Sequence, residues 1–71
     1  MTDHVYKTIV ITGSSSRSIE GAIETAVGRA GESLHNLRWF EVDSIRGELN
    51  GDKIKHWQVT VKLGFTMDSG D

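Results

Sequence analysis

Hydrophobic and polar positions along this 71-residue chain fall into blocks of different period. Residues 5 to 12, "VYKTIVIT", are dense in β-branched side chains and predict a first strand. From Ile19 the apolar positions fall at 19, 22, 23, 26, 27, 30, 34 and 37. That spacing draws one stripe along a helix of about five turns. Residues 36 to 49, "NLRWFEVDSIRGEL", read as a second strand. The last block alternates cleanly: Trp57, Val59, Val61, Leu63 and Phe65 point one way. His56, Gln58, Thr60, Lys62, Gly64 and Thr66 point the other.

The joints between the blocks carry their own signals. "GSSSRS" supplies a turn and a helix N-cap, with Ser16 or Ser18 as the capping residue. Gly21, Gly28 and Gly31 each cost the helix about 1 kcal/mol relative to alanine. Its stripe is made partly of Ala22, Ala26 and Ala30, so packing has to hold it, and small residues there let a sheet approach closely. "NGD" at 50 to 52 is a hairpin signal joining the last two strands antiparallel. In the second strand Phe40 and Val42 share a parity that Ile45 and Leu49 do not. A β-bulge or sharp bend near Asp43 and Ser44 restores the phase, because one extra residue flips every later side chain. The pattern gives one α+β domain over 1–71, ordered β-α-β-β, with a bent hairpin curling round one helix.

Such a chain buries only about 60% of its unfolded surface. Natural chains of this size usually add disulfides, a metal or partner subunits. There is no cysteine, which removes disulfides and thiolate metal sites and suits a reducing, cytoplasmic location. His4, His35 and His56 lack the spacing of metal ligands. Self-association is the remaining remedy, and the open sheet edges and outer face invite it. The net charge of −2 and pI near 5.8 argue against a nucleic-acid face. No apolar run reaches membrane-spanning length, and the first ten residues do not read as a secretory signal.

Three side chains stand out. Trp39 has the parity opposite to Phe40 and Val42, so it faces away from the helix. Gln58 likewise lies opposite its strand's apolar row. A flat aromatic that stacks and a carboxamide that both donates and accepts suit a planar heterocycle with an amide-imide edge. An aromatic at a subunit interface beside a solvated glutamine explains the same pattern, and spacing alone favours that plainer explanation. Arg46 either forks onto a phosphate or carboxylate, or bridges to Glu41 or Glu48; the bridge is the simpler reading. "GSSSRS" lacks the Lys-Ser/Thr ending of a phosphate loop. No nucleophile with a nearby base can be named, so an enzyme is not expected.

"VYK" opening the first strand, "TGSS" before "SIEGAI", then "LRWFEVDSIRGEL" and "WQVTVKLGF" together resemble the dodecins, small flavin-binding proteins of bacteria and archaea. The resemblance runs from about Val5 to Phe65 in the same order and spacing. It implies a three-stranded antiparallel sheet wrapped around one helix and twelve copies in a hollow sphere. It further implies flavins, FMN or riboflavin, stacked in pairs between tryptophans at the two-fold axes, for storage and photoprotection. Trp39 then matches the stacking tryptophan, and Gln58 the glutamine that hydrogen-bonds the isoalloxazine. Arg46 matches an arginine close to the flavin, and Val5, Tyr6 and Lys7 an opening segment that contributes to the pocket or to phosphate contacts. Coenzyme A is a ligand of some members, and Arg29 is a candidate contact for it. Thr66 stands where many bacterial relatives carry arginine, a departure that bears on that second site. The rival expectation is a structural or protein-interaction oligomer without flavin.

Overall fold

The computed structural model describes residues 3–67. Four elements follow in the expected order: β1 (Tyr6–Ser15), α1 (Ile19–Gly31), β2 (Leu37–Asn50) and β3 (Lys53–Thr66). They form one antiparallel sheet of order β1-β3-β2, with the last strand in the middle.

The first strand runs further than "VYKTIVIT" suggests. Gly13, Ser14 and Ser15 continue the ladder against Val59, Gln58 and Trp57, so the turn narrows to residues 16–17. The reason lies at Gly13, which passes directly beneath the helix. A Cβ there would run into the Ala22 carbonyl oxygen and come 2.9 Å from the Ala26 Cβ. The glycine therefore marks a close helix–strand approach and not a turn. Ser15 then accepts a hydrogen bond from the Arg17 N–H at 3.0 Å. Of the two capping candidates Ser18 is the N-cap: its extended backbone directs Oγ to accept from the Gly21 N–H at 2.9 Å.

The helix is shorter than its stripe. It spans 13 residues and stops at Gly31, so the expected five turns are corrected to fewer than four. Past it, the Leu34 N–H donates to the Ala30 carbonyl at 2.9 Å, and Asn36 takes a positive φ of 66° to turn the chain. Leu34 and Leu37 still pack against the core. Apolar spacing records which residues face the core; here a loop, not another turn of helix, brings those two back to it. The core itself is small: Ala22, Ala26 and Ala30 of α1 against Val59, Val61 and Leu63 of β3.

Gly51, at φ 67°, closes the two-residue turn between paired Asn50 and Lys53. The register shifts between Val42 and Ser44 as the phase change requires, and twice more, between Leu37 and Trp39 and between Glu48 and Leu49. Because α1 lies over β1 and β3, the helix-side face of β2 stays open, with Phe40, Val42 and Ile45 39–50% exposed. The subunit is correspondingly long, 54 × 20 × 14 Å, with a radius of gyration of 14.7 Å. A compact chain of this length has about 11 Å.

Candidate functional site: the outer sheet face

Cross-strand partners share a face, so the buried row Val59, Val61 and Leu63 defines the helix side and the alternate residues define the outer side. Thr12 and Thr60, joined Oγ to Oγ at 2.8 Å, mark the outer side of the β1–β3 pair. Leu37 and Trp39 have equal parity in sequence, yet they end on opposite faces. Leu37 pairs with Phe65 and Trp39 with Gly64, leaving Arg38 as the extra residue. This bulge keeps Leu37 on the core and turns Trp39 outward.

Trp39 does not stand upright from the sheet. A Cβ built on Gly64 would collide with its indole, the Cδ2 atom lying 2.7 Å away. The ring therefore lies over the bare backbone of Gly64, one face against the sheet and the other turned from it, with the residue 39% exposed. The pairing of Trp57 with Gly47 shows that the arrangement is particular to Trp39. A Cβ on Gly47 would meet nothing nearer than the His56 carbonyl at 3.6 Å. Trp57 lies on the helix side, half-buried, as its apolar row requires.

Tyr6 joins Trp39 from the far strand. Their ring centroids are 6.1 Å apart with planes tilted by 58°, and His4 follows Tyr6 at 6.4 Å. Gln58 and Arg46 also lie on the outer face, directly opposite one another on β3 and β2. They are not beside Trp39. Gln58 is six residues along β3 from Gly64, which is about 20 Å. One chain thus carries the indole at one end of its outer face and the carboxamide with the guanidinium at the other. The expected bridge from Arg46 is corrected as well. The ion pairs among the described residues are Arg29–Glu32 at 3.8 Å and Lys55–Glu48 at 3.9 Å, with His56 Nδ1 also 3.1 Å from a Glu48 oxygen, and Arg46 is in none of these contacts.

The remaining candidates are scattered. Val5 extends the β1–β3 ladder, its carbonyl accepting from the Met67 N–H at 3.1 Å. Lys7 pairs with Phe65 on the helix side and borders an open pocket with His35 and Asn36. Arg29 stands in the last turn of α1, largely exposed. No group of acidic, histidine or cysteine side chains among the described residues is arranged to hold a metal ion.

The dodecin family model matches residues 5–68, nearly the whole chain. The chain belongs to the dodecin family. A dodecin of Thermus thermophilus is 39% identical over 64 residues, covering 90% of this chain and 93% of that one. Among solved structures, a dodecin from Streptomyces davaonensis superposes with a TM-score of 0.91 at 46% identity, covering 96% of this chain and 100% of that one. The dodecin from Streptomyces coelicolor gives 0.92 at 37% identity, covering 99% and 100%. Membership places the chain among small dodecin-fold binding proteins, a family that in general forms homo-oligomers.

Sequence reasoning missed Gly64 and the bulge at Arg38. The sequence carries the signal for the bulge: Leu37 belongs to the apolar stripe, while Trp39, at the same parity, has the outward phase opposite to Phe40 and Val42.

Proposed function

We propose that this dodecin is the subunit of a hollow homododecamer that stacks FMN or riboflavin on Trp39 and sequesters it. One observation carries the reading: an indole laid flat over Gly64, with its second face turned from the sheet. A planar heterocycle fits against that face, and the bare glycine lets the ring sit low. A bound flavin supplies a planar, photoexcitable ring with an amide-imide edge. Trp39 would hold that ring against its electron-rich face, where the indole can quench the excitation. Gln58, whose carboxamide both donates and accepts, would hydrogen-bond the amide-imide edge, and Arg46 opposite it would supply a positive charge.

Because Trp39 and Gln58 lie about 20 Å apart along one sheet, both meet a single ligand only when a second copy contributes one of them. Two-fold assembly supplies that copy, and the open apolar face of β2 supplies the surface to drive it. Coenzyme A would meet Arg29 on the helix side, opposite the flavin face, so the two ligands would not compete. We place the protein in the cytoplasm; among the described residues no helix is long and apolar enough to cross a membrane.

Titration of FMN into apo-protein, with flavin fluorescence followed and the particle sized by light scattering, tests the reading. Quenching that saturates near one flavin per subunit on a twelve-subunit particle supports it. A twelve-subunit particle that leaves the fluorescence unchanged returns the chain to a structural oligomer, with Trp39 as interface.

A further inference from the structure

We infer that Tyr6 is a positioning residue for the stacking surface, acting through its ring on Trp39 and not through its hydroxyl on the ligand. The inference rests on the flavin reading above, and it adds the element that fixes the indole's orientation.

Trp39 projects from β2 across the central strand. The sheet supplies its floor at Gly64, but a floor alone leaves the indole free to slide or to swing upright about χ1 and χ2. The ring points towards β1, and there Tyr6 meets it. Tyr6 belongs to the outer row, opposite Thr66, whereas Trp39 is opposite Gly64, so the two aromatics lie diagonally across β3. A centroid separation of 6.1 Å and a tilt of 58° fall within the favourable range for inclined aromatic pairs, where the edge of one ring meets the other. Tyr6 thereby forms a wall at the edge of the indole and leaves the ligand-side face open.

The wall is anchored. The Tyr6–Thr66 pair is flanked by the Met67 N–H donating to the Val5 carbonyl at 3.1 Å. On the other side, the Thr66 N–H donates to the Asn36 carbonyl, also at 3.1 Å, tying in the chain that leads to Trp39. The end of β3 thus fixes both aromatics to one backbone frame. A stacking surface already held in its bound orientation loses less side-chain freedom when a ligand arrives.

The test uses the assembled protein and three variants, Tyr6→Phe, Tyr6→Leu and Tyr6→Ala, with Trp57→Phe as background. Circular dichroism is read at the long-wavelength edge of the indole band, beyond tyrosine absorption, where Trp39 is the one remaining tryptophan. Removing the ring in the Ala or Leu variant is expected to weaken FMN binding roughly five- to tenfold. It is also expected to diminish the Trp39 dichroism of the flavin-free protein. Tyr6→Phe is expected to restore both to within about twofold, since the ring geometry and not the hydroxyl is at issue. If Tyr6→Ala does not assemble, the Leu variant, which keeps apolar bulk at the strand end, decides the matter. Unchanged affinity and dichroism in the Leu variant overturn the inference, and so does a Phe variant as weak as Ala, which would make Tyr6 a direct ligand contact. If the parent protein binds no FMN, the flavin reading fails by itself. The Trp39 dichroism of the variants then still upholds or overturns Tyr6 as the residue that orders the indole.

Discussion

The indole of Trp39 and the α-carbon of Gly64 occupy neighbouring strands at the same register, and the ring fills the space a side chain on Gly64 would need. Two local features create this relationship: the bulge at Arg38 that turns Trp39 outward, and the glycine that lets it lie down. The flavin proposal depends on both.

Gly64→Ala should therefore displace the indole. The introduced methyl would overlap the Trp39 ring carbons, and overpacking of this kind costs about 1–3 kcal/mol. The ring can yield outward, so the fold is expected to survive while the flat surface is lost. Titration of FMN against the variant should show at least about tenfold weaker binding, with the particle size unchanged by light scattering. Wild-type affinity would show that the seat is not used.

Trp39→Ala should remove most FMN binding and leave assembly intact, because Trp39 is absent from the buried core. Gln58→Ala tests the other end of the face. Its expected loss is that of one or two hydrogen bonds, about 1 kcal/mol each, with quenching still complete at saturation because the indole remains. Equal loss of quenching at saturation in both variants would contradict the division of roles.

Phe40→Asp addresses assembly. Phe40 lies on the helix-side face of β2, paired with Leu63, but beyond the cover of α1 and 49% exposed. In an isolated subunit a charge there is tolerated. In an interface it is desolvated without a partner. Light scattering should find smaller species at concentrations where the parent protein is fully assembled.

Gly13→Ala should destabilise the fold more than loss of the helix cap does. Its Cβ would meet the Ala22 carbonyl oxygen and the Ala26 Cβ at 2.9 Å, neither of which is a flexible side chain. Separation of α1 from β1 is expected to cost about 3 kcal/mol or more. Ser18→Ala, which loses only the cap to Gly21, should cost about 1 kcal/mol. Denaturant unfolding of both variants at one protein concentration checks the order, and the reverse order would refute the close-approach role of Gly13.

Much of this was legible in the sequence. The alternation in residues 57–65 placed Val59, Val61 and Leu63 on the core and Gln58 away from it. The serine run contained the true cap, and the parity break at Asp43 and Ser44 marked a real register shift. Stripe positions 34 and 37 do face the core but are not helical, since a loop returning to the same core leaves the same trace.

Local pattern by itself determined which way most side chains face, because side-chain direction along a strand or helix is a property of backbone period. Tertiary structure alone decided which faces meet and at what register. It placed β3 between β1 and β2, brought Tyr6 to Trp39 and set Gln58 far from it. It also gave Gly13 and Gly64 opposite neighbours, a helix for one and an indole for the other. Period fixes direction within an element; only the pairing of strands and the docking of the helix fix distance between elements, and the proposed site depends on distance.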